Sequence, residues 1–166
     1  MKVSMSKKAL VAMSGGVDSS VAALLMKKAG YECVGAMMHL WGGADEQDEK
    51  DAAAVAERLG IPFYIFDLQK EFKEKVIDKF ISTYEHGATP NPCLDCNRFL
   101  KFGALYEKAK ELGCDYIATG HYVVCAQDKN TGRYVLKKAV DAGKDQSYVL
   151  YSLPQEILSH CVFPLG

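Results

Sequence analysis

The sequence predicts an α/β protein of the doubly wound class, with a mainly parallel sheet. Over the first 120 residues, short apolar segments of strand length alternate with longer segments of helical periodicity. Strands that alternate with helices in this way form parallel sheets with right-handed crossovers. Several predicted helices end at a glycine, the residue that most often follows a helix C-terminus. In such sheets, ligands bind at the carboxyl ends of the strands.

The elements follow in order along the chain. We predict strands over 8–13, 32–40, 61–68 and 114–119, and helices over 19–29, 47–59, 69–86 and 98–112. The first helix is expected to bury one face made of Val21, Ala22, Leu24 and Leu25. Residues 87–97 are predicted to form an irregular loop. After residue 120 the pattern changes to a β-hairpin over 121–140, with its turn at 130–132, and a short helix within 153–163. We therefore divide the chain into a core over 1–120 and an extension of the same domain over 121–166.

Composition narrows the class of protein. A chain of 166 residues with 49% hydrophobic residues is long enough for one domain with a sizeable core. No apolar run approaches the ~18 residues that a membrane span needs, and the apolar stretch 9–13 is too short for a signal peptide. We therefore expect a cytoplasmic protein that does not bind membranes. The formal charge of −1 excludes a generally basic surface, so nucleic-acid binding would depend on a local patch.

The six cysteines have two interpretations. In a cytoplasmic protein, cysteine pairs are more often catalytic or metal-binding than disulfide-bonded. Cys33, Cys114, Cys125 and Cys161 stand in apolar or strand-like context, and we interpret them as small core residues. Cys93 and Cys96 form a CxxC pair in a loop that contains two prolines.

The segment Ser14–Ser20, SGGVDSS, lies between a predicted strand and a predicted helix. Glycines let the backbone approach a phosphate, and the free amides and dipole of the helix N-terminus favour an anion. Asp18 would repel a phosphate unless a divalent cation bridges them, and Mg²⁺ takes carboxylate and phosphate oxygens together. The loop is not a Walker A motif, because it lacks the lysine. The alternative is a tight turn whose Asp or Ser caps the helix.

We predict a reactive thiol at Cys96. It stands just before the helix predicted over 98–112 and is followed by Arg98 and Lys101. A helix N-terminus and nearby cations lower the pKa of a cysteine, which increases the fraction of thiolate. One CxxC pair is only half of a structural zinc site, so a redox or sulfur-handling pair is favoured over zinc, with two structural thiols as the alternative.

Four motifs identify a family resemblance. SGGVDSS resembles the PP-loop of the ATP pyrophosphatase superfamily, which binds the β- and γ-phosphates of ATP. In order, AMSGGVDSSVAA, TPNPCLDCNRFLKF, ATGHYV and GKDQSYVLY resemble the tRNA-specific 2-thiouridylase (MnmA) family over essentially the whole chain. The resemblance implies that 1–120 is a PP-loop nucleotide-binding domain. It also implies adenylation of O2 of the wobble uridine in tRNAs of the Lys, Glu and Gln type, followed by replacement of that oxygen with sulfur. The sulfur would come from a cysteine desulfurase or a relay protein.

The resemblance also implies site residues. Cys96 matches the catalytic nucleophile, and Cys93 stands beside it. The positions that match contacts to Mg-ATP are Ala12, Met13, Ser14, Gly15, Gly16, Val17, Asp18, Ser19, Met38 and Gly120, with Asp18 toward the metal. The positions that match contacts to tRNA are Asn91, Pro92, Cys93, His121, Lys144, Asp145 and Gln146. Without the resemblance, Met38 would be an ordinary core residue, His121 a strand-end histidine and 143–148 a polar turn.

Two departures from the family leave alternatives open. Many members carry Asp at the position of Cys93, where it is proposed to assist proton transfer. Cys93 is also consistent with a disulfide to Cys96, or with an iron–sulfur cluster that needs a third cysteine. The family is roughly twice as long and continues, beyond the part that this sequence matches, with a second catalytic cysteine and β-rich domains. We therefore expect this sequence to be the N-terminal part of such an enzyme, with a natural short form completed by another chain as the alternative. We therefore keep two other functions: a different PP-loop ligase or amidotransferase, and an inactive fragment that binds ATP or tRNA.

Overall fold

The computed structural model describes residues 7–41 and 46–166 and confirms the doubly wound α/β class. A five-stranded parallel sheet has the strand order β3-β2-β1-β4-β7, and β5 and β6 form a separate antiparallel hairpin. The strands are β1 Lys8–Ala12, β2 Glu32–His39, β3 Phe63–Asp67, β4 Tyr116–Ala118, β5 Val123–Gln127, β6 Tyr134–Lys138 and β7 Cys161–Val162. The first two helices are α1 Val17–Lys28 and α2 Glu46–Leu59. Helix α3 consists of Gln69–Phe72, Lys73–Ile77 and Asp78–Glu85, helix α4 of Pro92–Asp95, Cys96–Ala104 and Leu105–Glu111, and α5 is Gln155–Leu158.

The sheet is covered on both faces. Successive residues of a strand point to opposite faces, and β1 is buried on both of them. Leu10 lies in a cluster with Val34, Ile117 and the α4 residue Leu105. The β1 residues on the other face pack with residues of α1 and α2; this second cluster includes Ala9, Val11, Ala23, Met26, Ala52 and Ala56. Helices α1 and α2 therefore cover one face, and α4 covers the other.

The buried face of α1 differs from the prediction. Ser19, Ala22, Ala23 and Met26 are buried, whereas Val21, Leu24 and Leu25 are each 37% exposed. The observed face has the spacing i, i+3, i+4, i+7 of a single helical stripe. Small residues let α1 lie close to the sheet, so the face with the larger side chains stays partly open.

Helix α4 begins earlier than predicted. Residues 92–95 are helical and continue directly into the next segment, so the cysteine pair is not in an irregular loop. Pro92 occupies the first turn, where its missing N–H is not needed, and the Asn91 side chain accepts a hydrogen bond from the Cys93 amide at 3.1 Å. Residues 73–77 and 96–104 are wound as π-helix, which is often found at functional sites.

The C-terminal part confirms the hairpin and corrects the last helix. In the hairpin, Val123 pairs with Lys138 and Gln127 with Tyr134. The predicted helix within 153–163 is confined to residues 155–158, and β7 follows it as a fifth parallel strand, with Cys161 opposite Ile117. β7 has only two residues and forms because β4 offers it a free edge. Among the helices of residues 7–41 and 46–166, none combines the length and apolar character that crossing a bilayer needs.

Candidate functional site

A pocket lies at the carboxyl ends of β1 and β4, where the order of the sheet reverses. Ligands of open α/β sheets bind at this topological switch point. The pocket has a volume of about 230 Å³. It is lined by Ala12, Met13, Ser14, Asp18, Ser19, Met38, Lys101, Thr119, Gly120, His121 and Gln146. Of the ten residues predicted to contact ATP, seven line this pocket, and Gly15, Gly16 and Val17 do not.

The loop after β1 is held by hydroxyl groups. Ser19 Oγ accepts a hydrogen bond from the Ser14 amide at 3.1 Å and donates one to the Gly16 carbonyl at 3.0 Å. No side chain caps the N-terminus of α1, so the alternative of a tight turn whose Asp or Ser caps the helix is not found. The free amides and the dipole of this helix end lie beside the Ser14 and Ser19 hydroxyls, an arrangement that favours an anion.

Two glycines bring neighbouring segments close to this loop. Gly15 has a φ of +77°, and a Cβ there would lie 2.6 Å from the Asp48 carbonyl oxygen of α2. A Cβ on Gly120 would lie 3.0 Å from the Ser19 nitrogen. The absence of a side chain at Gly15 thus lets the loop pack closely against α2. In the same way, Gly120 lets the end of β4 approach the start of α1.

Asp18 is part of a polar chain at the rim of the pocket. The Tyr122 hydroxyl donates to Asp18 Oδ1 at 2.7 Å, and Lys144 Nζ donates to the Tyr122 hydroxyl at 3.1 Å. The Lys144 ammonium also lies 4.6 Å from the centre of the Tyr122 ring. Gln146 Oε1 accepts from the Tyr122 amide at 3.0 Å. The segment predicted to contact tRNA therefore also orients the carboxylate predicted to face magnesium.

Asp145 has a structural role in the same segment. Its Oδ1 accepts from the Ala139 amide at 2.9 Å, and its Oδ2 accepts from the Ser147 hydroxyl at 2.8 Å. These bonds, the one from Ala139 first, lower the pKa of the Asp145 carboxyl below its usual value. Asp145 thus fixes the turn that carries Lys144 and Gln146.

His121 is buried in the wall of the pocket. It is 7% exposed and lies 2.7 Å from the Thr119 hydroxyl through Nδ1. The rings of Phe102 and Phe163 pack around it, with centroids at 6.0 Å and 6.3 Å. Burial, and then the charge of Lys101, lower the pKa of His121 to about 3. His121 is therefore a neutral hydrogen-bonding group.

The cysteine pair lies on the first turns of α4. Cys93 is exposed, and Cys96 is partly buried beside Leu68 and Leu100. Burial raises the pKa of the Cys96 thiol, and the charge of Lys101 opposes this shift only in part. The predicted lowered pKa is therefore wrong, because the thiol is removed from water beside Leu68 and Leu100. Cys96 also lies inside α4, which begins at Pro92, rather than at the helix terminus.

The other thiols are in packing positions. Cys33 and Cys114 are buried, as predicted, and Cys125 and Cys161 are partly buried, with their thiols donating to backbone carbonyls. All six cysteines are free thiols in this structure. Within residues 7–41 and 46–166 no group of three or more metal-binding side chains is found, so no third ligand accompanies Cys93 and Cys96 there.

Lys101 and Thr119 are pocket residues that the sequence did not reveal as such. The sequence indicates a role for Lys101 only through its charge near Cys96. It lines the pocket, and it lies five residues after Cys96 in the π-helical part of α4. Because the π-helix repeats its hydrogen bonds at i→i+5, residues 96 and 101 lie one turn apart on the same side. Lys101 thus connects the pocket with the cysteine pair.

The comparisons decide the family. Residues 7–166 match the profile described as tRNA methyl transferase HUP domain. The chain belongs to this family.

Individual relatives extend this result. A protein of Clostridioides difficile named tRNA-specific 2-thiouridylase MnmA is 50% identical over 98% of this chain and 48% of its own length. A protein of the same name from Symbiobacterium thermophilum is 50% identical over 96% of this chain and 45% of its own length. The chain thus spans about half the length of these relatives. A solved structure, described as a predicted subunit of tRNA methyltransferase from Methanocaldococcus jannaschii, has a TM-score of 0.50 at 20% identity, over 96% of this chain and 68% of its own, and shows the likeness of fold.

Proposed function

We propose that this chain carries the ATP-binding and sulfur-handling part of a tRNA uridine 2-sulfurtransferase. One observation carries the proposal: a single pocket has the free N-terminus of α1 on one side and α4, which bears the cysteine pair, on the other. The N-terminus of α1 is suited to binding phosphate, and the cysteine pair on α4 is suited to transferring sulfur. The name tRNA-specific 2-thiouridylase of relatives that are 50% identical supports the combination.

The pocket fits the phosphates of ATP. The free amides of α1 and the hydroxyls of Ser14 and Ser19 supply donors, and the Gly120 backbone lies close beside them. Asp18 would hold Mg²⁺ through the carboxylate oxygen that Tyr122 leaves free. Met38, at the end of β2, would pack against the adenine. Bound Mg-ATP would supply an activated phosphorus and a pyrophosphate leaving group.

The proposed reaction has two steps, adenylation of the uridine and replacement of its O2 by sulfur. O2 of the uridine bonds to the α-phosphorus and pyrophosphate leaves. A sulfur nucleophile then bonds to C2 and loses its proton, and the C2–O bond breaks with release of AMP. We assign Cys96 to delivery of this sulfur, as the outer sulfur of a persulfide received from the donor protein. After this sulfur has bonded to C2 and AMP has left, the Cys93 thiolate attacks Cys96 Sγ, so that the S–S bond breaks, 2-thiouridine is released and a Cys93–Cys96 disulfide forms. Cys93 is the more exposed thiol and stands one turn earlier, as a proton donor or as a disulfide partner of Cys96. The described residues offer no support for an iron–sulfur cluster at this pair.

The proposal also names partners and a compartment. The RNA substrate would be tRNA of the Lys, Glu and Gln type, and Asn91, Pro92, Lys144 and Gln146 would contact it around the pocket. The sulfur donor would be a cysteine desulfurase or a relay protein. Free thiols are typical of the cytoplasm, where we place the reaction.

The first test is thiolation of unmodified tRNA under anaerobic conditions. The 166-residue chain is incubated with ATP, Mg²⁺ and inorganic sulfide, and the nucleosides are identified by mass spectrometry. We expect 2-thiouridine together with tRNA-dependent formation of AMP and pyrophosphate. Formation of AMP with a small carboxylate or amide, and none with tRNA, would instead support a ligase or amidotransferase. A methylated nucleoside in place of a thiolated one would also refute the proposal.

A substitution tests the role of Cys96. With a cysteine desulfurase and cysteine as the sulfur source, we expect Cys96→Ser to abolish thiolation, because the persulfide cannot form. ATP binding should be unchanged, because residue 96 does not line the nucleotide pocket. Cys125→Ser is a matched control, since this thiol is also partly buried but donates to the Leu158 carbonyl in another part of the chain. Normal thiolation by Cys96→Ser would show that this residue has no part in sulfur delivery.

A further inference from the structure

Lys101 carries a charge that the roles assigned so far do not explain. It is half-buried in the pocket wall, on the α4 side. Within the described part of the chain it takes part in none of the ion pairs, although other lysines of the chain are paired with carboxylates. A partly buried ammonium without a counter-ion is costly unless it meets an anion. Its counter-charge is therefore expected from a ligand.

The surroundings of Lys101 indicate which kind of ligand. The pocket contains one carboxylate, Asp18, and its Oδ1 already accepts from Tyr122. The remaining polar groups are hydroxyls, amides and the neutral His121. The uncapped N-terminus of α1 adds a partial positive charge. Positive groups thus stand on two sides of the pocket, and this arrangement suits a ligand that carries several negative charges in a row.

The two positive groups differ in their position relative to the cysteine pair. The N-terminus of α1 follows β1 and belongs to the loop 14–19, away from α4. Lys101 lies on α4 itself, one π-helical turn after Cys96, and its charge acts on that thiol. A phosphate at Lys101 is therefore the one nearest the sulfur, and phosphates farther along the chain meet the loop. Sulfur transfer takes place at the atom bonded to the AMP oxygen, so this order matches the proposed reaction.

We propose that Lys101 is a further catalytic residue, whose ammonium binds the α-phosphate of the nucleotide and neutralises the charge that AMP gains when it leaves. This inference rests on the proposed function. It divides the pocket into a part that binds the α-phosphate of ATP and a part that binds the β- and γ-phosphates. Lys101 holds the part that becomes AMP, and the loop with the helix N-terminus holds the part that becomes pyrophosphate. A fixed cation at a leaving group lowers the barrier because its position requires no reorganisation.

The test separates the two parts by measuring AMP and pyrophosphate binding independently. Calorimetry is performed with each ligand on the unaltered chain, Lys101→Met, Lys101→Arg and Lys108→Met. Lys108 is the matched control, because it lies on the same helix and pairs with Glu111 at 2.8 Å, away from the pocket. Circular dichroism and a thermal unfolding curve for each variant confirm that it is folded.

We expect Lys101→Met to weaken AMP binding about 10- to 100-fold, the range of one charge-assisted hydrogen bond, and to change pyrophosphate binding by less than about 3-fold. Lys101→Arg should restore most of the AMP affinity, and Lys108→Met should match the unaltered chain. In the thiolation assay, Lys101→Met should lower kcat more than it raises the KM for ATP. Unchanged AMP binding, or an equal loss for AMP and pyrophosphate, would overturn the assignment of Lys101 alone. Failure of the unaltered chain to bind any of ATP, AMP and pyrophosphate would overturn the proposed function as well.

Discussion

At the scale of single residues, burial rather than sequence context sets the chemistry of the titratable groups. Cys96 has cations nearby in the sequence, yet its pKa is raised because α4 and the end of β3 enclose it. His121 has a lowered pKa because aromatic rings and Lys101 surround it. In both, removal from water disfavours the charged form. The thiol of Cys96 therefore needs a proton acceptor, or prior loading with sulfur, before it can react.

His121 should make the stability of the fold depend on pH. Its pKa is about 3 in the folded chain and 6.5 in the unfolded chain, so between these values only the unfolded state takes up a proton. The free energy of unfolding should fall as the pH decreases through this window, by up to about 5 kcal/mol from this group, and should be unaffected by it above pH 6.5. We expect His121→Asn, which keeps a polar group beside Thr119 without titrating, to lose less stability over the same window.

Urea unfolding at a series of pH values measures this effect. The quantity to compare is the slope of unfolding free energy against pH in the two proteins, since other groups titrate in both. Equal slopes for His121→Asn and the unaltered chain would show that His121 is protonated at no cost in the folded state.

The site residues show how far the sequence alone could lead. The loop 14–19 between β1 and α1 is predictable as a turn because strand, glycines and helix are consecutive, and a local pattern encodes a local structure. Lys101 and Thr119 were not predictable in their roles, because each reaches the pocket from an element that arrives from elsewhere in the fold. The direction of the pKa shift of Cys96 is predicted wrongly because burial sets it, and this burial comes in part from Leu68, a residue distant in the sequence.

At the scale of elements, the start of α4 depends on one cap. The Asn91 side chain satisfies the Cys93 amide, and the Asn97 side chain donates to the Cys93 carbonyl at 3.0 Å. The Asn97 oxygen is buried without a hydrogen-bond partner in the described structure. The first turn, which presents the exposed thiol, is therefore held by two asparagine side chains.

We expect Asn91→Ala to destabilise the chain by about 0.5–2 kcal/mol, the usual cost of removing an N-cap. Asn91→Ser should recover most of this loss, because serine also caps helices. Thermal unfolding gives the stability, and the rate of alkylation of Cys93 reports on the order of the first turn. Equal stability of Asn91→Ala and the unaltered chain would mean that the cap contributes nothing to α4.

The strands show that a local sequence pattern predicts some elements of the sheet and not others. β1 to β4 were predicted because each is an apolar run bounded by turn residues. The two residues of β7 fall within the predicted helix 153–163, because they are too few to carry a strand pattern of their own. It exists through its pairing with β4, and the register of Ile117 with Cys161 is information that only the fold contains.

At the scale of the whole molecule, the extension 121–166 is packed into the main core. Val123, Val149, Leu150, Leu153 and Leu158 belong to the same cluster as Leu10 and Leu105. The extension also contributes β7 to the sheet and Gln146 to the pocket. We therefore treat 1–120 and 121–166 as one cooperative unit.

Leu150 tests this view, because it is fully buried between the extension and the sheet. We expect Leu150→Ala to cost about 2–5 kcal/mol, the range for a large-to-small change in a core, and to lower the stability in one unfolding transition. Tyr151→Ala is the neighbouring control, since Tyr151 is 72% exposed. The measurement is urea unfolding followed by circular dichroism and by tryptophan fluorescence. Two separate transitions, with only one affected by Leu150→Ala, would show that the extension folds independently.

The strand order has a consequence for how the chain comes together during synthesis. Ala9 pairs with Cys33 on one side of β1, soon after it is made, but with Tyr116 on the other, so the second edge of β1 stays open until residue 116 has left the ribosome. The loop 14–19 is made early, whereas Gly120, His121 and Gln146, which line the same pocket or its wall, are made much later. A nascent chain that ends before residue 120 would thus hold only half of the pocket. If the pocket binds a nucleotide as proposed, the nucleotide would favour chains in which both halves have docked over shorter ones.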